Sequence, residues 1–89
     1  MVCSFRTVFS AGNGEVEVYE LVIPDEWNGR SLKELLPGDQ CVAVALSRAG
    51  RAVLPAADAQ LEACDVLHVS ATLDGVTALR QRLGPPREA

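Results

Sequence analysis

Aromatic residues are scarce in this sequence, 4% of 89 residues, supplied by one Trp, one Tyr and two Phe. A core must therefore come from Val, Leu, Ile and Ala. A chain this short buries only roughly 60–65% of the surface its unfolded form exposes, so the core is thin and a partner subunit has burial to add. Cysteine is equally sparse: Cys3, Cys41 and Cys64 are odd in number and show no CxxC spacing. That excludes a disulfide framework and a structural zinc site, and it fits reduced thiols in the cytosol. Histidine occurs once, at His68, with no partner at the spacing a metal site or a catalytic base needs. Basic charge is in deficit, with 8 Lys and Arg against 12 Asp and Glu, so non-specific binding to nucleic acid or to an anionic membrane surface is excluded. Long apolar runs are absent too. The longest, Cys41 to Leu46, falls far short of the ~20 residues a membrane helix requires. Arg6 is not followed by the apolar stretch of a signal peptide.

What is present reads as one small domain. Val2 to Ser10 is a weak strand or the remnant of a linker, and Asn13-Gly14 is a turn signal. Glu15 to Ile23 reads as a strand ended by Pro24. Val16 and Val18 fall on one face of it and Tyr19, Leu21 and Ile23 on the other, so either a bulge shifts the phase near Tyr19-Glu20 or both faces become buried. Ser31-Leu32-Lys33-Glu34 is a capping box opening a short helix with Leu32, Leu35 and Leu36 on one stripe, stopped by Pro37-Gly38. Cys41 to Ser47 is a buried strand, and Arg48 to Arg51 is a hairpin turn in which Gly50 takes positive φ. Ala52 to Leu54 returns as a strand. Ala56 to Glu62 is an irregular connection with Leu61 tucked inward. Val66 to Ala71 is the last strand. Asp74 is the expected N-cap of a final helix with Val76, Leu79 and Leu83 inward, and Gly84-Pro85-Pro86 ends it. The fold class is α+β: a small mixed or antiparallel sheet of four to five strands, a short capped helix and a C-terminal helix.

The order of these pieces resembles the TrkA C-terminal domain, also called the RCK C-terminal domain. The likeness is carried by Asn28-Gly29-Arg30-Ser31-Leu32-Lys33-Glu34-Leu35, Val42-Ala43-Val44, Arg48-Ala49-Gly50, Leu54-Pro55, Asp65-Val66-Leu67-His68-Val69 and Leu73 to Leu83. It divides the chain into an N-terminal strand or linker remnant over 1–14, the domain itself over 15–83 and a tail over 84–89. Where the family carries Gly, just before Asp65, this sequence has Cys64. A residue with a Cβ there implies a turn of another type.

The resemblance implies a regulatory domain of a potassium channel or transporter system. Such a domain forms a homodimer, acts from the cytoplasm through an upstream or partner domain, and works by conformational linkage rather than catalysis. It places the dimer groove at Pro37 to Cys41 and the strand that follows. The candidate ligand-binding residues are therefore Gly38, Asp39, Gln40 and Cys41, joined by Arg48 and Arg51 as the best local basic pair. Some members bind cyclic di-AMP, so that or another nucleotide is the candidate ligand. Asp39 would repel it, so no cofactor is assigned. A purely structural assembly module that binds nothing small is the alternative. Gly12-Asn13-Gly14 precedes a strand instead of joining a strand to a helix, which argues against a dinucleotide fingerprint. No nucleophile–base arrangement, metal-ligand spacing or phosphate loop points to an enzyme. Asp58, Glu62 and Asp65 read as loop and turn residues rather than a cation site. Cys41 and Cys64 read as small buried hydrophobes, and Trp27 either covers the sheet edge or anchors an interface.

Overall fold

The computed structural model describes residues 5–36, 38 and 40–83. Among them the strands are β1 (Phe5–Ala11), β2 (Val16–Val22), β3 (Cys41–Arg48), β4 (Arg51–Val53) and β5 (Val66–Ala71), and the helices are α1 (Leu32–Leu35) and α2 (Leu73–Leu83). The five strands form one sheet in the order β1-β2-β5-β3-β4, with every pairing antiparallel. The last strand in sequence is thus the central one. Its alternation is clean: Leu67, Val69 and Ala71 are buried, while Val66, His68 and Ser70 face the other side half-buried. Register carries this alternation across the sheet. Leu21 opposes Leu67, which opposes Leu46, so one apolar row spans three strands. Tyr19, Val69 and Ala43 make the next. Leu32 and Leu35 of α1 and Val76 and Leu79 of α2 close the core over this face.

The connection before β5 is better ordered than its composition suggests. The first N–H groups of a helix have no partner within it. Here the Leu32 N–H donates to the Ala59 carbonyl at 2.8 Å and the Lys33 N–H to the Ala57 carbonyl at 3.0 Å. Leu61 N–H donates to Arg30 O and Gly29 N–H to Leu61 O, at 2.8 and 2.7 Å. Leu61 is thereby fixed and fully buried. Gly29 reaches φ 86°, which only a residue without Cβ adopts freely. The Glu34 carboxylate accepts from the Ser31 N–H at 3.1 Å and from the Ser31 hydroxyl at 3.0 Å, closing the capping box.

Several local expectations are corrected. β2 carries no phase shift: it runs in unbroken register along β5, with Tyr19, Leu21 and Ile23 buried and Val16 and Val18 on the other face, and the bulges lie at Val8 on β1 and Val44 on β3. α2 is capped by Thr72, whose hydroxyl accepts from the Gly75 N–H at 3.1 Å, whereas Asp74 lies inside the first turn. Cys64 does adopt positive φ, 73°, and is exposed. The turn therefore keeps the geometry that favours glycine and holds a side chain in it. Ala49 is also left-handed, φ 53°, beside Gly50 at 80°, a pair of positive φ values that matches the two-residue hairpin turn with the strand twist. Trp27 is buried and stacked under Arg30, with the guanidinium carbon 3.8 Å from the ring centroid. It covers the core and is no exposed anchor. The expected helix stop at Pro37 and the segment from Gly84 onward lie outside the described residues.

Candidate functional site

The residues singled out from sequence separate into two groups at opposite ends of β3, roughly 23 Å apart for a strand of this length. Gly38, Gln40 and Cys41 lie at its start and Arg48 and Arg51 at its end, flanking the hairpin turn. Asp39 lies outside the described residues.

At the start of β3 the loop is clamped to the N-terminus of α2. The Thr72 hydroxyl donates to Gln40 Oε1 at 2.8 Å, and the Thr72 N–H donates to the Gln40 carbonyl at 3.3 Å. Gly75 lets the helix come this close. A Cβ there would collide with the Gln40 carbonyl and lie 3.0 Å from Cys41 Sγ. The Cys41 thiol is buried, and burial pushes its pKa up against the opposing charge of Arg82, which leaves it a packing group rather than a nucleophile. Arg82, from the last turn of α2, donates to the Glu34 carbonyl at 2.7 Å. α2 thus ties the loop at its first turn to α1 near its end. Gly38, at φ 54°, is exposed and borders this junction. Sequence spacing could not have located Thr72, Gly75 and Arg82 here, because Thr72 and Gly75 meet Gln40, and Arg82 meets Glu34, only in the folded chain.

At the other end Arg48 is not a free cation. Its Nε and Nη2 donate to the two carboxylate oxygens of Asp65 at 2.9 and 2.7 Å, and Nη2 also reaches the Gln60 carbonyl at 3.0 Å. Glu62 adds an ion pair at 3.2 Å. Asp65 is 1% exposed and accepts in addition from the Glu62 N–H at 2.9 Å. Burial pushes the Asp65 carboxyl up, but the Arg48 bonds and charge and the Glu62 N–H outweigh it and hold the group below its usual value. Glu62 and Asp65 therefore converge on a guanidinium, not on a metal. Among the described residues no group of three His, Cys, Asp or Glu side chains is placed to hold one. Arg51 is exposed on the far side of the turn.

A third cluster lies on the sheet face away from the helices. Glu20 on β2 accepts from Arg6 Nε at 3.0 Å with one oxygen, and its other oxygen lies 3.1 Å from His68 Nε2 on β5. The hydrogen bond and charge of Arg6 lower the Glu20 carboxyl further than the His68 contact does. His68 stands on the Val66 and Ser70 face, as alternation requires. Its partner Glu20 lies across the sheet rather than near it in sequence.

The family model that describes the TrkA-C domain matches residues 17–84 of this chain, more than half of it. No curated protein matches it.

Proposed function

Because the chain belongs to the TrkA-C domain family, whose members are regulatory domains of potassium transport systems, we propose that it pairs with a second copy and gates such a system by conformational linkage. It acts from the cytoplasmic side and performs no chemistry of its own. The observation that carries the pairing is the outer edge of β3. β4 covers this edge only over Leu46–Arg48, so among the described residues Cys41–Ala45 pair with β5 on one side and have no strand on the outer side. That stretch has no charge and no proline, the devices that usually protect an edge. Val42 and Val44 on it are 62% and 42% exposed, and Leu54, where the chain leaves β4, is 89% exposed. A strand laid antiparallel against its own copy satisfies a two-fold axis without further design. Centred near Ala43, such a pairing sets the loop at 38–41 of each copy beside the Val53–Leu54 end of β4 in the other. The loop residues and the hairpin, separated within one chain, would then share one groove.

A ligand in that groove acts on α2 through the Gln40–Thr72–Gly75 junction, since the loop cannot shift without moving the start of the helix. It shifts the equilibrium only by its differential affinity for the two arrangements. The occupation of Arg48 by Asp65 and Glu62 favours a second reading, an assembly domain that takes no anionic ligand. Titration of the purified chain with cyclic di-AMP and nucleotides, followed by thermal unfolding, separates the two. A ligand bound to the native state at a hundredfold excess over Kd adds about 2.7 kcal/mol, or roughly 10 °C or more in Tm for a domain of this size. Sedimentation equilibrium run alongside reads the pairing. A flat thermal response with a dimer leaves the assembly reading, and a monomer at all concentrations refutes both.

A further inference from the structure

We propose that β1 is a latch strand, which opens from the edge of β2 while the remaining four strands and both helices stay folded. This goes beyond the regulatory reading and stands whether or not that reading holds. β1 pairs with β2 alone, at the end of the sheet. The side chains of Arg6 to Ala11 are all exposed, including Phe9 at 62% and Val8 at 43%. Those six residues therefore bury no side chain in the core, which is built from β2, β3, β5 and the helices. Their ladder is also interrupted, because Thr7 opposes Tyr19 and Phe9 opposes Val18, leaving Val8 with no opposite residue.

Polar side-chain ties hold the strand besides the backbone, two of them short, with Thr7 adding a weaker contact to Glu17. Arg6 binds Glu20 at 3.0 Å, and the Ser10 hydroxyl donates to Glu17 at 2.7 Å. Both are exposed, and exposed ties of this kind contribute little. The segment matched by the family model starts at residue 17, after β1, and β2 meets β5 along Glu17–Val22 independently of β1. Among the described side chains of β1 none is lost from the core when the strand opens, and the cost is the ladder and these exposed ties. Opening uncovers the outer edge of Val16–Val22. A region held by few apolar contacts and an exposed ladder opens sub-globally, well below the free energy of global unfolding.

Both ties end on carboxylates of β2. Glu20 is faced by Arg6 from β1 and by His68 from β5, and Glu17 by Thr7 and Ser10 from β1 and by Tyr19 of its own strand. Both carboxyls are held below their usual value, so acidification below the ordinary carboxylate range removes the charge from the Arg6 pair and weakens the Ser10 bond.

Native-state hydrogen exchange on the full chain tests the latch. The β1 amides bonded to β2 are expected to show protection at least about tenfold below the β5 amides. They are also expected to ignore denaturant at concentrations where β5 already responds. The double variant Arg6→Ala, Ser10→Ala should lower β1 protection a further two- to fivefold or so and leave β5 unchanged. Equal protection in β1 and β5 of the wild-type chain, or an equal fall in both in the variant, would make β1 part of one global unit and overturn the proposal.

Discussion

Cys64 shows how much a single backbone angle decides. At φ 73° its Cβ crowds the neighbouring carbonyl, and the thiol, being exposed, gains nothing from the core in return. Left-handed geometry costs a residue with a Cβ about 1–2 kcal/mol, part of which a glycine gives back through its freer unfolded chain. Cys64→Gly is therefore expected to stabilise the domain by about 0.5–1 kcal/mol, a rise in Tm of about 2–8 °C, read by calorimetry. Arg48 and Asp65 work in the opposite sense. Asp65→Ala leaves Arg48 43% exposed on the surface, whereas Arg48→Ala leaves a carboxylate 2% exposed with only the Glu62 N–H to hold it. The second change is expected to cost about 2–3 kcal/mol, less than a fully buried pair because one partner reaches solvent. The same pair sets a pH dependence. The folded-state pKa of Asp65 is depressed, so its contribution is complete above the unfolded pKa near 3.9 and is lost as pH falls through the lower folded value. Urea unfolding at stepped pH is expected to show wild-type stability falling in that acid range, with a shallower fall in Asp65→Asn.

At the scale of elements, α2 is positioned by its first turn. Thr72 caps the helix and grips Gln40, while Gly75 lets the helix backbone lie on the Gln40 carbonyl. Gly75→Ala would raise helix propensity in isolation. In place it forces a methyl group into backbone that cannot yield, and the expected result is destabilisation by about 2–3 kcal/mol. Thr72→Val keeps the shape and removes the cap, an expected loss of about 1 kcal/mol. Denaturant melts of the two variants check both values. Short as it is, α1 holds because loop carbonyls at Ala57 and Ala59 take its first N–H groups. Its stability comes from tertiary partners, since an isolated helix of this length does not form in water.

At the scale of the whole molecule, a sheet covered by helices on one face leaves two kinds of open surface. One is the strand edge at Val42–Val44. The other is the bare face with the Arg6, Glu20 and His68 cluster. The edge has the chemistry for self-pairing. Val44→Lys places a charge where a second strand would lie and is expected to raise the dimer dissociation constant at least about tenfold. It should move Tm at the lowest protein concentrations by no more than about 2 °C, because Val44 is already solvated. Sedimentation equilibrium against the wild-type chain reads the first, and dilute thermal unfolding the second. Unchanged association of a folded Val44→Lys variant would place the pairing elsewhere.

Local patterns in the chain carried most of the elements and their faces. Leu67, Val69 and Ala71 alternate, Leu32 and Leu35 share a stripe, Gly29 and Gly50 mark turns, and each of these is a local pattern whose meaning the backbone period fixes. The family resemblance was readable for the same reason, because it lies in the order of those local patterns. Which residues meet was fixed by the folding of the whole chain. Arg48 finds Asp65, Thr72 finds Gln40 and Glu20 finds His68 because β5 inserts between β2 and β3. Insertion of a late strand between earlier ones is set by which apolar faces close the core together, a sum over the whole chain that no local spacing records. The same closure drives Cys64 into a conformation its own side chain opposes, the core gaining more than the turn loses.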